Sequence, residues 1–92
     1  MDDSQKFILN ADFSIETFDN EILLYSISDS KGVYLNQTAG LVWELCDKNQ
    51  SVGEIVALLE AAYPQQKESV RSDVVMAIEA LIENGALIKS DG

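Results

Sequence analysis

The sequence contains no histidine, one cysteine (Cys46), and only six lysines and arginines against sixteen aspartates and glutamates. Each shortage excludes a class of chemistry. Without histidine the chain loses the usual general base at neutral pH and the commonest metal ligand. One cysteine cannot close a disulfide within the chain or build a thiolate zinc site. Low cysteine usage fits a reducing, cytoplasmic setting. A net charge of -10 has the wrong sign for phosphate backbones and anionic membranes, so neither nucleic acid nor membrane is an expected partner. No apolar run approaches the roughly 20 residues that span a bilayer. The opening MDDSQKFILN is too acidic and its apolar run too short for a signal peptide. The five glycines are scattered, with no phosphate-binding loop or dinucleotide fingerprint, and "DNE" and "SDSKG" lack calcium-loop spacing. Cys46 sits in an apolar helical pattern with nothing to activate it and reads as a core residue. No catalytic residue, metal ligand or cofactor is therefore expected.

What remains is ordinary globular material: 92 residues, 47% hydrophobic and 24% charged, enough for one domain. Residues 1–12 read as a flexible N-terminal arm. Phe13–Phe18 alternates apolar and polar like a strand, Asp19-Asn20 supplies a turn, and Glu21–Ile27 is a second strand. Ser28–Gly32 is a turn cluster, and Lys31–Leu35 carries a short third strand. Asn36 or Thr38 caps a helix running to about Cys46, with Ala39, Val42, Trp43 and Cys46 on one face. Trp43 and Leu35 read as core anchors and Tyr34 as exposed on the other sheet face. Ser51 and Glu54 form a capping box for a second helix, with Val52, Ile55, Val56, Leu59 and Ala62 at helical spacing, stopped by Pro64. The polar stretch QQKES leads to a third helix from about Glu68 to Glu83, ended by Asn84-Gly85. Ala86–Ile88 could add a terminal strand, and residues 89–92 are a polar tail. The order β-β-β-α-α-α predicts an α+β fold: a three-stranded antiparallel sheet followed by three helices over residues 13–88, with free sheet edges.

The third helix carries more apolar surface than a simple amphipathic helix. With Val70 as origin and about 100° per residue, Val74, Ala77 and Leu81 fall within about 40° of it. Ile78, Arg71, Ile82 and Val75 follow at about 80°, 100°, 120° and 140°. The apolar arc reaches about 160°, against the ~100° of an ordinary surface helix. Either the domain buries all of it, or Val75, Ile78 and Ile82 wall an exposed groove with Arg71 at its end. A groove beside an open strand edge suits an extended peptide that adds a strand. Arg71 on this helix is opposed by Glu68, Asp73, Glu79 and Glu83, which argues against a DNA-reading helix.

The succession "YLN", "TAGLVWELCD", "SVGEIVALLEAAYP" and "DVVMAIEALIENGALI" resembles the PqqD-like proteins, over about Phe13–Ile88. The ordered set Leu35-Asn36, Trp43, Ile55, Leu59, Tyr63, Asp73, Leu81 and Gly85 carries the resemblance. These proteins are precursor-peptide recognition elements of RiPP (ribosomally made, post-translationally modified peptide) biosynthesis. The resemblance implies a winged-helix-turn-helix-like fold and a non-catalytic peptide chaperone. Such an adaptor binds the leader segment of a precursor peptide by strand addition and delivers it to a modifying enzyme. It points to Lys31, Gly32, Val33, Tyr34 and Leu35 on the third strand and to Arg71, Val74, Val75, Ile78 and Ile82 on the third helix. Lys31 is otherwise a turn residue, and Asp73 reads first as favourable helix electrostatics. The chain departs from proteins of pyrroloquinoline quinone synthesis: it lacks their N-terminal arginines and the "PE" before the third strand, and it has Asn36 where they carry aspartate. It looks more like stand-alone relatives that work beside a radical SAM enzyme or a lasso-type leader peptidase. Quinone synthesis proper, or a structural subunit docked permanently on a larger enzyme, are the alternatives.

Overall fold

Asp19 and Asn20 both adopt positive φ (49° and 67°), the backbone a two-residue hairpin turn requires. They join two strands of the computed structural model, which describes residues 1–90. The elements are β1 (Phe7–Leu9), β2 (Phe13–Phe18), β3 (Glu21–Ser26), β4 (Gly32–Leu35), α1 (Gln37–Asp47), α2 (Val52–Ala62), α3 (Lys67–Glu83) and β5 (Leu87–Lys89), with a 3-10 turn at Pro64–Gln66 before α3. β2, β3 and β4 form the expected antiparallel meander, in that order. Register pairs Ile15 with Leu24 and Leu24 with Val33, and Ile22 with Thr17 and Leu35. Side-chain alternation therefore gathers Phe13, Ile15, Ile22, Leu24, Val33 and Leu35 on one face. On that face Leu24 is buried, and Phe13, Ile15 and Leu35 pack against the core. A Cβ on Gly40 would lie 2.5 Å from Ile22 Cδ1, so the glycine lets α1 approach the sheet this closely.

Helix ends follow local chemistry. The Ala39 N–H donates to Asn36 Oδ1 at 2.8 Å, so Asn36 caps α1 directly from the end of β4. The Glu54 N–H donates to Ser51 Oγ and the Ser51 N–H to Glu54 Oε1, closing the capping box of α2. α3 ends in a Schellman motif: Gly85 at φ +80° donates to the Ile82 carbonyl, and the Ala86 N–H to that of Leu81. Ala39, Val42, Trp43 and Cys46 of α1 are buried as expected, and so are Val52, Ile55, Val56 and Leu59 of α2; Ala62 is exposed.

The N-terminal arm is the main correction. Residues 1–12 are not a loose segment. Phe7–Leu9 forms β1, paired antiparallel with β5, and Phe7 is buried in the core. Before it, the Val52 N–H donates to the Gln5 carbonyl and the Gly53 N–H to that of Asp3. These bonds occupy the two amides at the start of α2 that its own turns leave free. Arg71 of α3 pairs with Asp3 at 2.7 Å. After β1, Asp12 ties two strand junctions together. Its carboxylate accepts from the Ser26 and Ser28 hydroxyls, both at 2.7 Å, and from the Ser28 N–H. The C-terminal tail is also engaged at its start, since Lys89 lies in β5 and the Ser90 N–H donates to the Lys6 carbonyl. Asp91 and Gly92 of that tail lie outside the described residues. The α+β architecture is thus a three-stranded sheet and three helices, clamped by a second, two-stranded ribbon made from the first and last strands.

Candidate functional site: the groove between β4 and α3

β4 has β3 on one side and no strand on the other among the described residues. An edge strand leaves every second residue's N–H and C=O pointing outward, a template for another strand. Val33 and Tyr34 are exposed there, at 40% and 63%, and Leu35 is half-buried. The edge is held in place at both ends. Asn36 locks its end to α1, and the Ser26 N–H donates to the Lys31 carbonyl just before its start. Asp12 anchors the same turn through Ser26 and Ser28, and these hydrogen bonds hold its carboxyl below the usual range.

Beside this edge runs a groove of about 440 Å³. Its floor and far wall come from Thr38 and Ala39 of α1 and from Asp73, Met76, Ala77, Ala80, Leu81 and Asn84. On α3 that stripe has helical spacing, and from Asp73 to Asn84 it covers about 16 Å, the reach of about five extended residues. Ala77 and Ala80 are short, so an incoming chain can approach the helix closely. Met76 is 64% exposed and flexible enough to repack around different side chains.

The sequence-predicted residues divide. Gly32, Val33, Tyr34 and Leu35 form the edge, and Lys31 lies exposed just before it. The predicted α3 set does not line the groove. Val74 and Ile78 are fully buried and present no surface to a ligand. Val75 and Ile82 are half-buried, and Ile82 packs on the core. Arg71 is exposed but engaged by Asp3, whose hydrogen bond and charge push the guanidinium pKa up and hold that of the Asp3 carboxyl down. On the same angular construction the groove stripe centres about 160° from Arg71, Val75, Ile78 and Ile82. The apolar surplus of α3 therefore faces away from the groove: Val74 and Ile78 are buried in the core, Ile82 packs on it, and Arg71 at the margin is met by Asp3 of the N-terminal segment. The missed stripe did leave a mark in the sequence: a methionine and two alanines at helical spacing between charged residues.

Asp73 also changes meaning. α3 begins at Lys67 and its first-turn acid is Glu68. Asp73 lies beyond the first turn, where the helix dipole no longer rewards it.

The family model of coenzyme PQQ synthesis protein D (PqqD) matches residues 21–87. No curated protein matches the sequence significantly. Among solved structures, "Lasso peptide synthetase B1 complexed with the leader peptide" superposes with a TM-score of 0.78 at 22% identity, covering 90% of this chain and 98% of that one. "TbiB1 in Complex with the TbiA(beta) Leader Peptide" gives 0.72 at 20% identity, covering 86% and 92%. These likenesses establish a shared fold. With the family match spanning β3 to the start of β5, they lead to one conclusion: the chain belongs to the PqqD family.

Proposed function

We propose that this protein is a non-catalytic adaptor that captures the leader segment of a ribosomal precursor peptide by adding it as a strand to β4. The carrying observation is the juxtaposition of a free strand edge, hydrogen-bonded at both ends, with a groove whose helical wall has short and apolar side chains, Ala77, Ala80 and Leu81, between Asp73 and Asn84. Main-chain hydrogen bonds along the edge supply affinity, and the groove selects side chains. Both solved relatives are described as leader-peptide complexes, which supports the reading. Delivery to a modifying enzyme, such as a radical SAM enzyme or a leader peptidase, completes the role. The sequence departure at Asn36 carries little weight for choosing a pathway, because asparagine and aspartate cap helices equally well.

The test uses synthetic peptides encoded by short reading frames beside this gene, titrated into labelled protein. Saturable binding with amide shifts at Gly32–Leu35 and along Asp73–Asn84 is the expected result. Shifts confined to β2, or no saturable binding by any of them, would overturn the proposal.

A further inference from the structure

The groove does not stop at the end of β4. A second hollow of about 120 Å³ opens among Leu41, Leu59, Tyr63 and Val70, rimmed by Gln37 and Gln66. Thr38 and Asp73 line both hollows, so the two adjoin at these residues. Gln37 and Thr38 directly follow β4 and its capping residue Asn36 in sequence. A chain paired along β4 and continuing past Leu35 therefore runs over Asp73 and into the second hollow.

Asp73 is the one acidic or basic side chain lining either hollow. It is exposed, and it takes part in none of the hydrogen bonds or ion pairs of the described residues; their single ion pair is Arg71–Asp3. Aspartate is also a poor helix former, so a free carboxylate in the second turn of α3 has no evident structural return. The chain's net charge of -10 adds a long-range pull on cations approaching that carboxylate.

We propose that the peptide recognised here carries a lysine or arginine where it passes Asp73, and beyond it a bulky apolar side chain that fills the hollow among Leu41, Leu59, Tyr63 and Val70. The inference rests on the strand-addition reading and specifies its ligand: an extended segment followed by a cationic and then an apolar anchor. The cation pairs with Asp73 at the junction. The apolar anchor is buried by α1, α2 and α3 together, beyond the reach of the sheet edge.

The probe is a displayed library of random 15-residue peptides, selected on the immobilised full chain. Enriched peptides should share a lysine or arginine within about four residues of a large apolar residue, and should shift the Gly32–Leu35 amides. In such a peptide, Lys→Gln should weaken binding about fivefold. Asp73→Asn in the protein should cause the same loss, with no further loss when both changes are combined. Tyr63→Ala, at a partly exposed position, should weaken peptides with the apolar anchor and leave alanine-substituted ones unaffected. Circular dichroism confirms that each variant is folded. Peptides that shift Gly32–Leu35 but show no cationic enrichment, or that bind Asp73→Asn unchanged, overturn this inference and leave strand addition standing. If no enriched peptide shifts those amides, strand addition itself fails, and this inference fails with it.

Discussion

Met76 and Ile78 lie two positions apart on α3 and have opposite surroundings. Ile78 is sealed in the core, and Met76 stands 64% exposed on the groove. Ile78→Ala should cost about 2–5 kcal/mol in urea unfolding. Met76→Ala should change stability by less than about 0.5 kcal/mol and weaken peptide capture measured by calorimetry. The helical period left Ile78 open between core and groove and gave Met76 no role. A period shows which residues share a face; it does not show which neighbour covers that face, and here Ile78 is sealed in a core shared with α1, α2 and β5. Cys46 was legible, because its neighbours along the apolar stripe are all core residues. Burial pushes its thiol pKa up to about 11. A disulfide reagent should leave Cys46 untouched in the native protein at pH 8 and modify it once urea unfolds the chain.

At the scale of elements, the legible parts are those with a local chemical cause. The Asp19-Asn20 hairpin, the Ser51–Glu54 box and the Asn84-Gly85 stop each depend on residues within four positions of one another. β1 has no such signature. Its sequence Phe-Ile-Leu is uniformly apolar and three residues long, too short to show alternation, and its partner lies at the other end of the chain. Phe7→Ala should nonetheless cost about 3–5 kcal/mol, measured by thermal or urea unfolding, because the ring is buried in the core. Asp12 was also assigned to the arm, yet its carboxylate holds the turn that leads into β4. Asp12→Ala should speed amide hydrogen exchange at Gly32 and Val33 more than in α2. Peptide affinity should fall with it, since a frayed edge must be ordered before it can pair.

For the molecule as a whole, the missing histidine sets the pH response. Asp3, Asp12 and Glu54 all have folded pKa values below the ordinary range, through the hydrogen bonds of Arg71, Ser26 and Ser51 respectively. A depressed carboxylate contributes stability above its unfolded pKa and loses it as pH falls through the folded value. Cys46 acts in the opposite direction. Its raised pKa contributes stability below about 8.5, lost as pH climbs toward 11. With no side chain of ordinary pKa between pH 5 and 8, the melting temperature should be level across that window. It should drop below about pH 4, and again above about pH 9. Cys46→Ala should remove much of the alkaline drop, which calorimetry across pH would show.

The pairing of Phe7 with Lys89 closes a loop of about 80 residues, among the longest in the fold. Contacts so far apart in sequence are made after local ones, so the β2–β4 meander and the individual helices form before the ribbon does. The order has a practical side for peptide capture. The edge of β4 belongs to the locally specified part, but the groove beside it also needs α3, and only three residues separate α3 from β5. The groove wall and the closing strand therefore become available together, and docking of α3 and closure of the ribbon are two parts of one late event.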